Sequence, residues 1–197
     1  MTATDSGFWE RGDSEFVFDF DQFELMDQAG VFDGVERRVE LIEGKIIQMA
    51  PGSTDHGGAN AKAVFAIMAA LRALSPPPAL EVMTNATLQI GRRSAPLPDV
   101  FVLRTGEAGK YAQAEQAVLV VEVSVSTRGY GLTVKSRLYA RAGVPEYWVV
   151  EPKGRKVSVH RDPQSDGTWA SVSVLDGDAY VSPLFASQIH IPLSELF

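Results

Sequence analysis

The order of apolar and polar positions predicts a chain in which short strands alternate with three helices. The clearest part is residues 117–150, where an apolar run of strand length, a turn-rich break, a helical pattern and a second apolar strand follow one another. The first run, Ala117 to Val123, is almost continuously apolar, which is typical of a strand buried on both faces. We therefore expect residues 117–150 to form the centre of the fold.

The rest of the pattern predicts an α/β protein of the α+β type, with a mixed central β-sheet flanked by helices. The apolar face predicted for the second helix contains Val64, Ile67, Met68, Leu71 and Leu74. In chain order, the other predicted elements are a helix at 20–29, a hairpin at 38–49, a helix at 56–74, one long strand at 80–90, and strands at 100–103, 156–160, 168–174 and 179–181.

Two charged side chains interrupt the apolar centre. Glu122 lies inside the first strand, where an unpaired carboxylate is costly to bury. Lys135 shares one stripe of the following helix with Leu132 and Tyr139, at the spacing of a helix turn, so it faces the core. An acidic and a basic side chain at such positions on adjacent elements indicate either a paired interaction or a site.

Composition limits the class of protein. A chain of 197 residues with 45% hydrophobic and 22% charged residues is typical of a single globular domain. It has neither an apolar run long enough to span a bilayer nor an N-terminal secretory pattern, so we expect a cytoplasmic protein. The lack of cysteine excludes disulfides, thiolate zinc sites and a cysteine nucleophile.

The acidic charge is concentrated near the N-terminus. The net charge is -7, and residues 1–35 carry nine acidic residues and one basic residue, for a net charge of -8. Residues 36–197 carry sixteen acidic and seventeen basic residues, for a net charge of +1. We expect a flexible acidic leader at 1–14 and a single domain at 15–197. The nearly neutral body remains compatible with a polyanionic partner.

Four charged residues are candidates for one site: Glu40, Asp99, Glu122 and Lys135. Mg²⁺ binds oxygen ligands, commonly carboxylates, while it keeps several waters. Hydrolysis of a phosphodiester requires neutralised phosphate charge and an activated water, which a nearby lysine can orient. Ser124 shares a strand face with Glu122 but is too short to replace an ammonium, so it is only an accessory candidate. Lys135 would supply the ammonium from the helix.

Each candidate also has a structural explanation. Glu40 alternates with apolar residues, which by itself places it on the solvent face of a half-buried strand. Asp99 follows a proline and can be a turn residue, while Glu122 and Lys135 can form a structural buried ion pair. His56 is an accessory candidate in the first turn of a helix, where the helix dipole disfavours a cation.

Several segments resemble a known family. They read ELIEGKIIQMAP at 40–51, PDV at 98–100, VVEVSVST at 120–127 and KSRLYARAGVPEYWVVEP at 135–152. Together with His56 they resemble the Uma2 family of the PD-(D/E)XK nuclease superfamily, over roughly residues 20–190. The resemblance implies a restriction-endonuclease-like core with a Mg²⁺-dependent nuclease site, in which Mn²⁺ can substitute.

The resemblance also implies a role for each candidate. Asp99 would be the aspartate of the PD motif, and Glu122 the acidic residue of the E-x-K position, and together they would hold the metal. Lys135 would be the lysine moved to the following helix, where it positions water and phosphate. Glu40 would be the upstream glutamate that assists the metal or the water.

The chain departs from the Uma2 pattern at three positions. Val125 replaces a proline, and Gly131 and Glu151 replace aspartates.

We expect a Mg²⁺-dependent DNA endonuclease, and a homodimer is compatible with that activity. The alternatives are a non-catalytic module that acts by dimerisation or nucleic-acid binding, and a phosphohydrolase of small substrates. Basic pairs such as Arg37-Arg38 are interpreted as solvated surface charge.

Overall fold

The computed structural model describes residues 15–34, 38–106, 109–125 and 130–197, so the predicted leader at 1–14 lies outside the described residues. None of the helices in these ranges is long and apolar enough to cross a membrane. The helices are α1 (Phe20–Gln28), α2 (Thr54–Arg72) and α3 (Tyr130–Arg141). The strands are β1 (Val39–Ile42), β2 (Lys45–Gln48), β3 (Leu80–Thr84), β4 (Leu88–Gln89), β5 (Val100–Arg104), β6 (Ala112–Gln113), β7 (Ala117–Val123), β8 (Glu146–Glu151), β9 (Lys156–Pro163), β10 (Trp169–Asp176), β11 (Tyr180–Val181) and β12 (Ile191–Pro192).

Six of these strands form a central sheet in the order β10-β9-β8-β7-β5-β3. β7 and β8 are parallel, and every other neighbouring pair is antiparallel. Parallel strands need a crossover connection, and α3 lies in the one between β7 and β8. The mixed sheet with flanking helices confirms the predicted fold class. All residues of β7 are buried, as the continuous apolar run predicted.

Alternating side chains of β5 and β7 build a core on each face of the sheet. On one face, Val102 and Val121 share a buried cluster with α2; on the other, Phe101 and Val120 share one with Tyr139 of α3. The face predicted for α2 is confirmed in part, because Ile67 is buried, and Val64 and Leu71 pack against the same core, whereas Met68 is exposed. Small side chains let the helix approach the sheet closely, so the buried face consists of Ala59, Ala63, Ala66, Ile67 and Ala70.

The single long strand predicted at 80–90 is also wrong. It is divided into β3 and β4, and Asn85 between them has a left-handed backbone with φ of +52°. β3 joins the central sheet beside β5, whereas β4 pairs with β6. The chain then runs past β1, where the Ala95 amide donates to the Leu41 carbonyl at 2.7 Å. The break therefore brings the segment before Asp99 against the strand that carries Glu40.

Candidate active site

Asp99 and Glu122 meet at one end of the central sheet. Asp99 directly precedes β5, and Glu122 is the second-last residue of β7. The two strands are antiparallel with Val100 opposite Val121, so the start of β5 lies beside the end of β7. The contact is direct, because the Val123 amide donates to Asp99 Oδ2 at 2.8 Å. The structure thus brings the two predicted carboxylates together.

Lys135 connects Glu122 to Glu40. Its Nζ donates to Glu122 Oε1 at 3.1 Å and to Glu40 Oε1 at 2.9 Å, and all three side chains are buried. The expectation that alternation alone would place Glu40 on the solvent face is therefore wrong. That side of β1 is covered by Lys135 and by the Leu97 amide, which donates to Glu40 Oε1 at 2.9 Å.

Asp99 is paired with basic side chains from two other elements. His56 Nε2 lies 3.0 Å and Arg38 Nη1 3.7 Å from Asp99 Oδ1. Burial alone would raise the pKa of Asp99, but the hydrogen bonds from His56 and the Val123 amide outweigh burial and lower it. Asp99 is therefore an ionised carboxylate at neutral pH.

His56 differs from its expected state. It lies in the first turn of α2, where the Ser53 hydroxyl accepts a hydrogen bond from its amide at 3.2 Å. The hydrogen bond to Asp99 raises the pKa of His56, although burial opposes that shift. The helix dipole by itself disfavours a cation here, whereas the direct contact with the Asp99 carboxylate, which the sequence did not reveal, favours one.

Glu122 and Lys135 have strongly shifted ionisation. Burial, reinforced by the negative charges of Asp99 and Glu40, raises the pKa of Glu122 to about 7, although Lys135 opposes the shift. The Tyr139 hydroxyl donates to Glu122 Oε1 at 2.8 Å. Burial would lower the pKa of Lys135, but the two glutamates outweigh burial and raise it. Lys135 is therefore a cation, and Glu122 exchanges its proton near neutral pH.

One open cleft of about 370 Å³ contains the whole group. Its wall also includes Arg38, Leu132 and the loop at 49–53. The candidates named from the sequence all line it: Glu40, His56, Asp99, Glu122, Ser124 and Lys135. The cleft thus combines carboxylates, an ammonium and solvent access.

Comparison with known proteins identifies the family. Residues 20–194 match the sequence model of Uma2, described as "Putative restriction endonuclease". The chain belongs to the Uma2 family. The resemblance seen in the motifs is therefore confirmed, and this family supports a nuclease role. A comparison with curated proteins finds no significant match.

A solved structure shares the Uma2 chain's fold. It is the crystal structure of "a putative nuclease belonging to DUF820" from Anabaena variabilis, with a TM-score of 0.67 and 23% sequence identity. The similarity covers 87% of this chain and 96% of that chain. At this identity the comparison shows a common fold, so the chemistry of the Uma2 cleft must be argued from its own residues.

The Uma2 cleft offers the oxygen atoms that Mg²⁺ prefers. Asp99 and Glu122 line it, and two carboxylates are enough for an ion that retains several waters. Glu40 Oε2 is buried and has no hydrogen-bond partner, which leaves one acceptor of the cleft unsatisfied. Within the described ranges, no group of three or more His, Cys, Asp or Glu side chains could hold a metal. A Mg²⁺ ion in this cleft would therefore be held by Asp99 and Glu122, with water molecules as its remaining ligands.

The departures from the Uma2 pattern leave the ammonium in position. Val125 lines the cleft, and Gly131 lies in the first turn of α3, four residues before Lys135. Lys135 nevertheless reaches both Glu40 and Glu122. The geometry of the lysine therefore does not require an aspartate at position 131.

Two polar side chains of this Uma2 site were not assigned a role from the sequence. The sequence predicts solvated surface charge for Arg38, but its Nη2 donates to the Leu97 carbonyl at 3.0 Å and its Nη1 approaches Asp99. The helical spacing predicts only that Tyr139 shares the apolar stripe, but its hydroxyl donates a hydrogen bond to Glu122. Spacing carried a signal for both, because Arg38 is two residues before Glu40 and Tyr139 is one helical turn after Lys135.

We expect Glu122 of the Uma2 site to titrate near pH 7 in the metal-free protein. Glu40→Gln should lower the pKa of Glu122, because it removes a neighbouring negative charge while an amide oxygen can still accept from Lys135. The chemical shift of the Glu122 carboxyl carbon, followed by NMR over a pH series, measures the pKa in the wild-type protein and in Glu40→Gln. Glu43→Gln, on an exposed turn, is the control and should change nothing. An unchanged Glu122 pKa in Glu40→Gln would contradict electrostatic coupling between the two glutamates.

Proposed function

We propose that this chain is a Mg²⁺-dependent endonuclease that hydrolyses phosphodiester bonds of DNA. The observation that carries the proposal is the convergence of Asp99, Glu122 and Lys135 in one solvent-open cleft. Membership of the Uma2 family supports the nuclease part of the proposal. Metal dependence and the DNA substrate are inferences from the chemistry of the cleft.

Asp99 and Glu122 would hold the metal. When bound there, Mg²⁺ supplies Lewis-acid neutralisation of the phosphate charge and makes a bound water more acidic. Asp99 is suited to this role because it is already ionised, and because its contacts with His56 and the Val123 amide fix its orientation. Glu122 is oriented by Tyr139 and Lys135. The carboxylates are therefore preorganised by groups of the protein itself.

Lys135, Glu40 and Arg38 would act on the water and the phosphate. The Lys135 ammonium, held between two glutamates, can donate to a phosphate oxygen or to the attacking water. Glu40 Oε2 is buried without a partner and can accept a hydrogen bond from that water. The side chain of Arg38 is 35% exposed, so its guanidinium can also reach a phosphate from solvent.

The activity is tested on supercoiled plasmid with Mg²⁺, with Mn²⁺ and with a chelator, beside a panel of nucleotides and small phosphodiesters. We expect metal-dependent conversion of plasmid to the nicked form and no turnover of the small substrates. If the protein hydrolysed members of the panel but left the plasmid intact, its substrate would be a small phosphodiester and not DNA. No hydrolysis of either substrate, in the presence of bound metal, would favour the non-catalytic alternative.

Metal binding has a readout that is independent of activity. An ion that binds only the folded state stabilises it by about 1.4 kcal/mol at ten times its Kd, which is a rise in Tm of roughly 3–6 °C for a chain of this size. We expect this rise with Mg²⁺ in the wild-type protein and in Glu43→Gln, and its loss in Asp99→Asn. Equal shifts in all three proteins would place the ion elsewhere.

A further inference from the structure

The outer edge of β10 is an unpaired edge of the central sheet within the described residues. β10 is the terminal strand of the central sheet and pairs with β9 along its inner side. Within the part of the chain that the structure describes, no strand pairs with its outer side. The strand has eight residues, so its outer side presents a long row of backbone donors and acceptors.

This edge lacks the usual protection against pairing. Natural edge strands are commonly kept short, or carry charges, prolines or covering elements that prevent association. β10 contains no proline, and its one charged residue is the exposed Asp176 at its C-terminal end, so residues 169–175 are uncharged. The opposite edge, β3, has five residues and carries an exposed Glu81. The charge of β3 lies within a short strand, whereas that of β10 lies at the end of a longer one, so β10 is the better suited of the two to accept another strand.

The side chains of β10 add an apolar contribution. Val172 and Val174 point to the same face of the sheet and are 55% and 57% exposed. Ser171 and Ser173 point to the other face and are also exposed. β-branched side chains stabilise a sheet when they lie opposite one another on neighbouring strands. Among the residues that the structure describes, the valines have no such neighbour on the outer side of β10.

We propose that β10 pairs antiparallel with β10 of a second copy of this chain, about a two-fold axis at Ser173. In this register, Val172 lies opposite Val174 of the second copy. The two-fold axis generates a second, equivalent pair, in which Val174 lies opposite Val172 of the second copy. Four valines then pack together on one face, and a continuous sheet runs through both copies. Any other register that places these strands antiparallel brings fewer valines into opposition.

The sequence of β10 favours a second copy over an unrelated strand. Val172 and Val174 are arranged symmetrically about Ser173, so the segment is complementary to itself in an isologous contact. The absence of charge between 169 and 175 means that two identical strands bring no like charges together. β10 is separated from β7 by β9 and β8, so the proposed contact does not use the strand that carries Glu122.

The first experiment measures the mass of the full chain by sedimentation velocity over a concentration series. We expect a reversible dimer, and the double variant Val172→Lys with Val174→Lys should dissociate at least about tenfold more readily, because like charges then face each other across the axis. Phe65→Lys is the matched control, since Phe65 on α2 is 73% exposed and lies outside β10. Circular dichroism checks that each variant is folded.

The second experiment uses the absence of cysteine from the chain. Ser173→Cys places one thiol on the axis, where opposed strand residues are close enough for a disulfide, whereas Ser171→Cys places its thiol roughly 13 Å from its copy. We expect oxidation to cross-link the first variant and not the second. Three results would overturn the proposal. The wild-type protein could be monomeric, or the dimer could be lost in Phe65→Lys but kept in the double variant Val172→Lys with Val174→Lys. The third such result is equal cross-linking of both cysteine variants.

Discussion

Replacement of Lys135 by methionine is expected to lower the rate of phosphodiester hydrolysis by about 100–1,000-fold, the usual cost of losing one preorganised donor. It should also lower the free energy of unfolding by about 3–5 kcal/mol. The ammonium is the shared partner of Glu40 and Glu122, and all three groups are buried. Methionine retains the volume of the side chain but leaves the carboxylates without their counter-charge.

A compensating variant separates the structural role of Lys135 from its catalytic role. Lys135→Met combined with Glu40→Gln removes one uncompensated carboxylate, so it should recover stability without recovering hydrolysis. Lys156→Met is the control, because Lys156 is exposed, and it should keep both properties. Chemical denaturation and plasmid nicking give the two readouts. If the double variant regained nicking, Lys135 would be a structural ion-pair partner and no more.

The stability loss in Lys135→Met should depend on pH. Lys135 opposes the rise in the pKa of Glu122, so without the ammonium that pKa in the folded state exceeds the value in the unfolded chain by more than in the wild-type protein. A group of this kind stabilises the fold below its unfolded pKa, and that contribution is lost as pH rises through the folded value. The difference from wild type should therefore be small near pH 5 and large near pH 8. A difference independent of pH would contradict this explanation.

Replacement of Arg161 by alanine is expected to lower the free energy of unfolding by about 3 kcal/mol, and Tm by roughly 6–12 °C. Arg161 on β9 donates through Nε and Nη2 to Glu146 Oε1 on β8, at 2.8 and 2.6 Å. Glu146 is fully buried, and the Leu184 amide donates to its other oxygen at 2.8 Å. Removal of the guanidinium therefore leaves a buried carboxylate without its counter-charge.

Two controls bound the effect of Arg161. Arg141→Ala breaks the exposed pair between Arg141 and Glu43 and should cost at most about 1 kcal/mol. Arg161→Met combined with Glu146→Leu replaces both charges by apolar groups and should recover most of the stability. The rise in Tm with Mg²⁺ should persist in every variant, because this pair does not line the cleft at Asp99. Similar losses in Arg141→Ala and Arg161→Ala would show that burial does not strengthen the second pair.

The sequence alone determined the central unit of this protein. The continuous apolar run at 117–123 predicted β7 with its bounds, because a strand covered on both faces needs no polar alternation. The positions of Glu122 and Lys135 within apolar patterns indicated that the two side chains meet, since burial without a partner is costly for either. The motifs around them also identified the Uma2 family. The first two signals are local, because each depends on the pattern of apolar residues within one segment.

The groups that surround that unit follow from the packing of distant segments and could not be read from the sequence. The burial of Glu40 depends on Lys135 and Leu97, which lie far away in sequence. The alternation of residues 39–42 shows only that the two faces of this strand differ in polarity. The pairing of Asp99 with His56 and Arg38 likewise depends on how α2 and the hairpin dock against the sheet. Periodicity states which residues share a face, but the element that covers the face fixes whether a charge there is solvated, paired or part of a site.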